Sequence, residues 1–154
     1  MNRSSPSVTF TRPLQRSEVL KKLRSYSRSE IPEPQFDPGN INERAFLYYT
    51  RLQRIQRHVK ANPEERISLR EAARLSGISE TYFSSFFHQK VGVCFKDWRA
   101  HTQVQHAIRL MKAHNNTITA IGLDSGFRDL RTFERVFKRH TGLTPREYKK
   151  TVRP

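Results

Sequence analysis

Apolar positions along this chain recur with a helical period, and their punctuation is regular. From residue 40 onward, Ala45, Tyr48, Tyr49, Leu52, Ile55 and Val59 follow at the spacing that lines one helix face. Asn40 with Glu43 has the form of a cap with its reciprocal acid, and Asn62-Pro63 ends the run. Ser68 with Glu71 repeats that device before Leu69, Ala72, Ala73 and Leu75. Gly77 then breaks the pattern, and Ser79 stands ready to cap a helix carrying Phe83, Phe86 and Phe87. A longer helix is expected from about Phe95 to His114, with Trp98, Val104, Ala107, Ile108 and Met111 inward. Thr117 opens another, Gly126 stops it, and Phe133, Val136 and Phe137 mark the next. Thr144-Pro145-Arg146-Glu147 sets a cap, a first-turn proline and an acid in order. No strand-period segment competes. The expected fold class is all-α.

The same pattern contains an internal repeat at an offset of 49–50 residues. Gly92 to Trp98 aligns with Gly142 to Tyr148: glycine, aliphatic, small, variable, basic, acidic, aromatic. Phe83 and Phe87 align with Phe133 and Phe137, while Ala73 and Gly77 align with Gly122 and Gly126. The upstream pairs sit at 49 rather than 50, so the second turn is expected to be one residue longer. Two copies of helix, glycine-bearing turn and helix are the helix-turn-helix pattern. The first is expected at about 67–91, the linker helix at about 95–114 and the second at about 117–141.

Turning Phe133, Val136 and Phe137 inward leaves Arg128, Arg131, Arg135 and Lys138 on one outward stripe, with Arg139 alongside. Guanidinium groups so placed can grip phosphates or pair bidentately with guanine edges. The equivalent positions of the first copy are Thr81, Ser84, Ser85 and His88, short and nearly uncharged. The second unit should therefore supply electrostatic grip. The first offers hydroxyl contacts, or the Thr81 methyl against thymine.

Charge strengthens this picture. The 154 residues carry 29 Lys+Arg against 14 Asp+Glu, a net +15. Residues 41–154 hold +12 of it. Residues 1–40 contain five of the eight prolines and are expected to be a mostly disordered basic Ser/Pro-rich arm. So cationic a chain calls for a polyanionic partner, with nucleic acid ahead of an anionic membrane surface. The longest apolar run, Ala45 to Tyr49, is far short of the roughly 20 residues that span a bilayer. No secretory signal follows Met1, and a cytoplasmic location is expected.

Other chemistry is sparse. His101 and His106 are five residues apart, the wrong step for a shared helix face, so no metal site is expected. The single Cys94 excludes an intrachain disulfide and is expected to be a buried, unreactive thiol. No phosphate loop, nucleophile–base set or paired carboxylates point to catalysis, and no cofactor is expected.

Residues 67–148 resemble the DNA-binding domain of the AraC/XylS family of bacterial transcription regulators. The resemblance rests on Ser68 to Ser79 (SLREAARLSGIS), Tyr82-Phe83, Phe87 and Ala107 to Met111 (AIRLM). It continues through Ile121, Ser125 to Phe127 (SGF), Thr132 to Lys138 (TFERVFK) and Thr141 to Tyr148 (TGLTPREY). It implies two helix-turn-helix subdomains whose recognition helices enter adjacent major grooves of double-stranded DNA. It also implies that Thr81, Ser84, Ser85 and His88, and Arg131, Thr132, Arg135 and Lys138, sit where the family reads bases or nearby phosphates.

Three positions depart from the family pattern. Gly122 replaces a usual alanine, a cost of about 1 kcal/mol to its helix. Gln103 replaces a common arginine, and Ser85 a long basic side chain. Family members usually carry a large effector-binding or dimerisation domain as well. This chain looks like the small stand-alone members, or like an excised C-terminal domain. The expected function is a sequence-specific transcription regulator that binds DNA as a monomer, with RNA polymerase as a further partner. The alternatives are a helical module for an acidic protein partner and a nonspecific architectural DNA binder.

Overall fold

A computed structural model describes residues 40–152. Those residues form α1 (Ala45–Tyr48), α2 (Thr50–Ala61), α3 (Leu69–Ser76), α4 (Glu80–Val91), α5 (Phe95–Ala113), α6 (Ile118–Asp124), α7 (Leu130–Thr141) and α8 (Pro145–Val152). No strand occurs among them, so the all-α expectation holds. The arm expected over residues 1–40 lies outside the described residues except for Asn40. Among the described residues no helix is long and apolar enough to cross a membrane.

One expected element differs. The run from Asn40 to Ala61 is two helices, because Tyr49 is extended at φ -103°, ψ 108° and breaks it. Asn40 and Glu43 form no cap, since α1 begins only at Ala45. The chain here serves another need, the unsatisfied carbonyls that end α4. The Asn42 backbone N–H donates to the Val91 carbonyl at 2.8 Å, and its side-chain amide to the Lys90 carbonyl at 3.1 Å. Gly92, at φ 91°, lies so close to the Asn40 carbonyl that a side chain there would overlap it. The break also resets the buried face. Phe46 packs flat on Trp98 with centroids 5.2 Å apart, whereas Tyr48 is 79% exposed.

The repeat is reproduced bond for bond. The Ser76 hydroxyl donates to the Ala72 carbonyl at 2.9 Å, and the Ser125 hydroxyl to the Ile121 carbonyl at 2.7 Å. The Ile78 N–H reaches the Ala73 carbonyl at 3.2 Å, and the Phe127 N–H the Gly122 carbonyl at 3.1 Å. Both turns pass through a left-handed glycine, Gly77 at φ 69° and Gly126 at φ 79°. These are Schellman closures, which only glycine enters without a Cβ penalty. Ser79 then caps α4 through the Tyr82 N–H, and Asp129 caps α7 through the Thr132 N–H. Ser79 follows Ile78 directly, but Arg128 intervenes between Phe127 and Asp129. Arg128 is the extra residue of the second turn.

Each unit is closed by a helix that starts at a cap after a left-handed glycine. Ser68 and Glu71 form the expected reciprocal box at α3. Thr144 and Glu147 do the same at α8, with N–H to side-chain oxygen distances of 3.0 and 3.3 Å. Cys94, the counterpart of Thr144, is half-buried rather than buried, because it occupies this cap position. Its thiol donates to Asp97 Oδ2 at 3.1 Å.

Two hydrophobic cores result, and α5 serves both. Phe95 and Trp98 join Phe46, Leu52, Ile55, Phe83 and Phe87 in the first. Val104, Ala107, Ile108 and Met111 join Ile121, Phe133, Phe137, Leu143 and Tyr148 in the second. At about 1.5 Å per residue, this 19-residue helix is about 28 Å long, its first turns in one core and its later turns in the other. Where the halves meet, Gln103 is buried and donates to the Gly126 carbonyl at 2.8 Å. His101 of α5 faces His140 of α7 with centroids 6.4 Å apart. Burial holds both imidazoles below the ordinary histidine range, and so neutral at pH 7.

Gly122 has a packing reason. A Cβ there would lie 2.8 Å from Cδ1 and 3.0 Å from Cγ of the fully buried Phe133 ring. Gly122→Ala should gain about 1 kcal/mol of helix propensity and lose about 1–3 kcal/mol to overpacking. A lower thermal midpoint by circular dichroism is the expected result. A raised midpoint would contradict this close approach of α6 and α7.

Candidate nucleic-acid interface

On α4, Phe83, Phe87 and Val91 are buried, and Thr81, Ser84, Ser85 and His88 all lie exposed on the other side. Arg70 of α3 pairs with Glu80 at 2.9 Å, placing one ion pair beside the start of this face. With both side chains well exposed it contributes little stability. The face itself presents hydroxyls and an imidazole, groups that donate or accept as a base edge requires.

The second face is built on α7. Phe133, Phe137, His140 and Thr141 are buried. Arg131, Arg135 and Lys138 stand exposed on the opposite side, and Arg128 is exposed in the turn before it. None of these four makes a salt bridge among the described residues. Their charge is therefore presented to solvent on a rigid support.

Two of the expected site residues are placed differently from the stripe. Thr132 is half-buried, and its hydroxyl donates to Asp129 Oδ2 at 3.0 Å, so it works within the cap. The Thr132 N–H, and after it that hydroxyl, hold the Asp129 carboxyl below the usual aspartate range. Arg139 is exposed but turns to Asp97 of α5, 3.4 Å away, and so faces the linker.

The structure adds one feature that periodicity missed. Tyr82 is 54% exposed and stacks on Phe86, whose edge meets Tyr49, with the Lys90 ammonium 5.3 Å over the Tyr49 ring. This aromatic row flanks the α4 face. Its sequence signal is the pair Tyr82 and Phe86, four apart, but Tyr49 joins only through the tertiary fold. Among the described residues no group of three His, Cys, Asp or Glu is placed to hold a metal ion.

Comparison with known proteins agrees with this geometry. Residues 72–151 match the family model described as a helix-turn-helix domain. An HTH-type transcriptional regulator of Bacillus subtilis (strain 168), YobQ, is 30% identical over 88 residues, covering 57% of this chain and 36% of YobQ. The chain thus spans about a third of that curated relative's length. The crystal structure of a Chromobacterium violaceum transcriptional regulator with an AraC-type DNA-binding domain is similar at TM-score 0.60 and 26% identity. That match covers 68% of this chain and 94% of the other. The DNA-binding domain of AdpA, solved in complex with a target DNA, shares the fold at TM-score 0.62 and 20% identity, covering 64% and 89%. With its paired helix-turn-helix units and residues 72–151 inside the family model, the chain belongs to the AraC/XylS family of helix-turn-helix transcriptional regulators.

Proposed function

We propose that this chain regulates transcription in the cytoplasm by binding double-stranded DNA at a specific sequence, with α4 and α7 in adjacent major-groove segments. One observation carries the reading: Arg131, Arg135 and Lys138 are exposed and unbridged on a helix whose other side is anchored in a core. Arginine pairs bidentately with guanine O6 and N7, and lysine neutralises phosphate. Arg128, at the entry to α7, adds a phosphate contact. The α4 face supplies the quieter half of the readout through Thr81, Ser84, Ser85 and His88.

Because one chain carries both heads, it binds as a monomer and its site is asymmetric. A contact with RNA polymerase adjoining that site would make the bound chain an activator. Selection of duplexes from a random pool, followed by footprinting, tests the assignment. Two protected tracts about one helical turn apart, roughly 34 Å, are expected. A pool that never enriches would contradict sequence-specific binding. Changing Ser84 and Ser85 together to alanine should alter the selected sequence in one tract and leave the salt slope unchanged. Recovery of the original motif with that variant would remove α4 from base readout.

A further inference from the structure

The aromatic row beside α4 is more than scattered apolar surface. Tyr82, Phe86 and Tyr49 lie ring to ring, with centroids 6.0 and 5.6 Å apart, and Tyr82 and Tyr49 are 54% and 36% exposed. The Lys90 ammonium closes one end over the Tyr49 ring and makes no salt bridge among the described residues. Tyr82, Phe86 and Lys90 follow at steps of four, so the row runs along one flank of α4. Rows of aromatic rings receive proline-rich segments, whose extended backbone costs little to order. The ammonium at the end adds a preference for carboxylates.

The chain carries such a segment, and it starts where the row ends. Residues 29–40 read SEIPEPQFDPGN, with three prolines, the apolar Ile31 and Phe36, and no Lys or Arg. Glu30, Glu33 and Asp37 give them a net charge of -3, whereas the preceding 28 residues hold seven basic residues and one acidic. Asn40 is fixed at the C-terminal end of α4. Its carbonyl lies against Gly92, and Asn42 holds the Lys90 and Val91 carbonyls. From Asn40, four extended residues reach about 13 Å and nine about 30 Å. Back along α4, Phe86 is about 9 Å from Gly92 and Tyr82 about 15 Å. Phe36 therefore reaches Phe86, and Ile31 reaches past Tyr82.

We propose that residues 30–38 dock on this row within the same chain. Phe36 lies against Phe86 and Tyr49, Asp37 beside Lys90, and the Pro32-Glu33-Pro34 run against Tyr82. Ser85 is three residues from Tyr82 and exposed, so the docked carboxylates stand next to the α4 reading face. Carboxylates there repel a phosphate backbone, and the docked segment competes with a duplex for α4. That competition rests on the DNA-binding reading above; the docking does not.

Tyr82→p-benzoylphenylalanine in the full chain places a photo-cross-linker on the row while keeping an aromatic ring there. Illumination of dilute protein, followed by peptide mass spectrometry, should give an intramolecular product with residues 29–39. Adding Phe36→Ala should lower its yield severalfold. A product that joins two chains would assign the row to a second copy and overturn the docking. Cross-links confined to residues 40–154, or a yield indifferent to Phe36→Ala, overturn it as well. Phe36→Ala alone changes no charge, yet it should tighten the selected duplex about threefold by freeing α4. Equal duplex affinity with the cross-link present overturns the competition alone. A chain that selects no duplex removes the DNA-binding reading, and the cross-link still decides the docking.

Discussion

Replacing Arg131 and Arg135 together by alanine is expected to weaken binding to the selected duplex by about 2–6 kcal/mol. The range follows from about 1–3 kcal/mol for each bidentate base contact. Both side chains are exposed on α7 and four residues apart, so they project from adjacent turns of one face. The opposite side of the helix, Phe133 and Phe137, is fully buried, so the backbone beneath them should stay where it is. Exposed substitutions of this kind usually change stability by less than about 0.5 kcal/mol. The loss should therefore appear in gel-shift titration while the thermal midpoint holds. Lys138→Ala provides the contrast, weakening all duplexes alike and reducing the salt slope by about one. Wild-type affinity in the double variant would remove α7 from the interface and with it the proposed function.

Phe137→Ala should cost about 3–5 kcal/mol, the penalty of emptying a buried aromatic site. Phe137 is fully buried and meets Phe133 and Tyr148 edge-on, with centroids 5.5 and 5.4 Å apart. All three belong to the second core, whereas Trp98 belongs to the first. Two measurements can therefore separate the halves of the molecule. On heating this variant, the helical circular dichroism should begin to fall before Trp98 emission changes. Phe87→Ala should bring the Trp98 transition forward instead, since Phe87 packs on Trp98 with centroids 5.5 Å apart. Coincident transitions in both variants would show that α5 joins the two cores into one cooperative unit, against the two-head organisation.

Much of this architecture is legible in the amino-acid sequence. Ser68 with Glu71 and Thr144 with Glu147 are local pairs whose hydrogen bonds span three residues, and the structure makes them as expected. The repeated glycines and phenylalanines identified both turns, including the longer second one. The basic stripe on α7 followed from the same spacing, because a helix with Phe133 and Phe137 inside must turn Arg131 and Arg135 outside. Periodicity failed where a local preference lost to a distant one. Asn40 and Glu43 are an acceptable cap, but Asn42 is claimed by carbonyls of α4, 48 residues away for its side chain. Thr132, which the family resemblance places where bases or phosphates are read, also donates its hydroxyl to Asp129 within the cap. Gly122 looked like a weakness until the Phe133 ring appeared beside it.

Taken alone, then, the amino-acid order determined the number of reading units, their helical class and the sign of the charge on the second. Those properties depend on bonds and spacings within a few residues, which a linear pattern records. The tertiary structure alone decided how the units are joined: the break at Tyr49, the Gln103 tie to Gly126, the turning of Arg139 to Asp97 and the meeting of Tyr49 with Phe86. Each of these depends on surfaces brought together by burying two separate cores, and no local period encodes which distant side chains will meet.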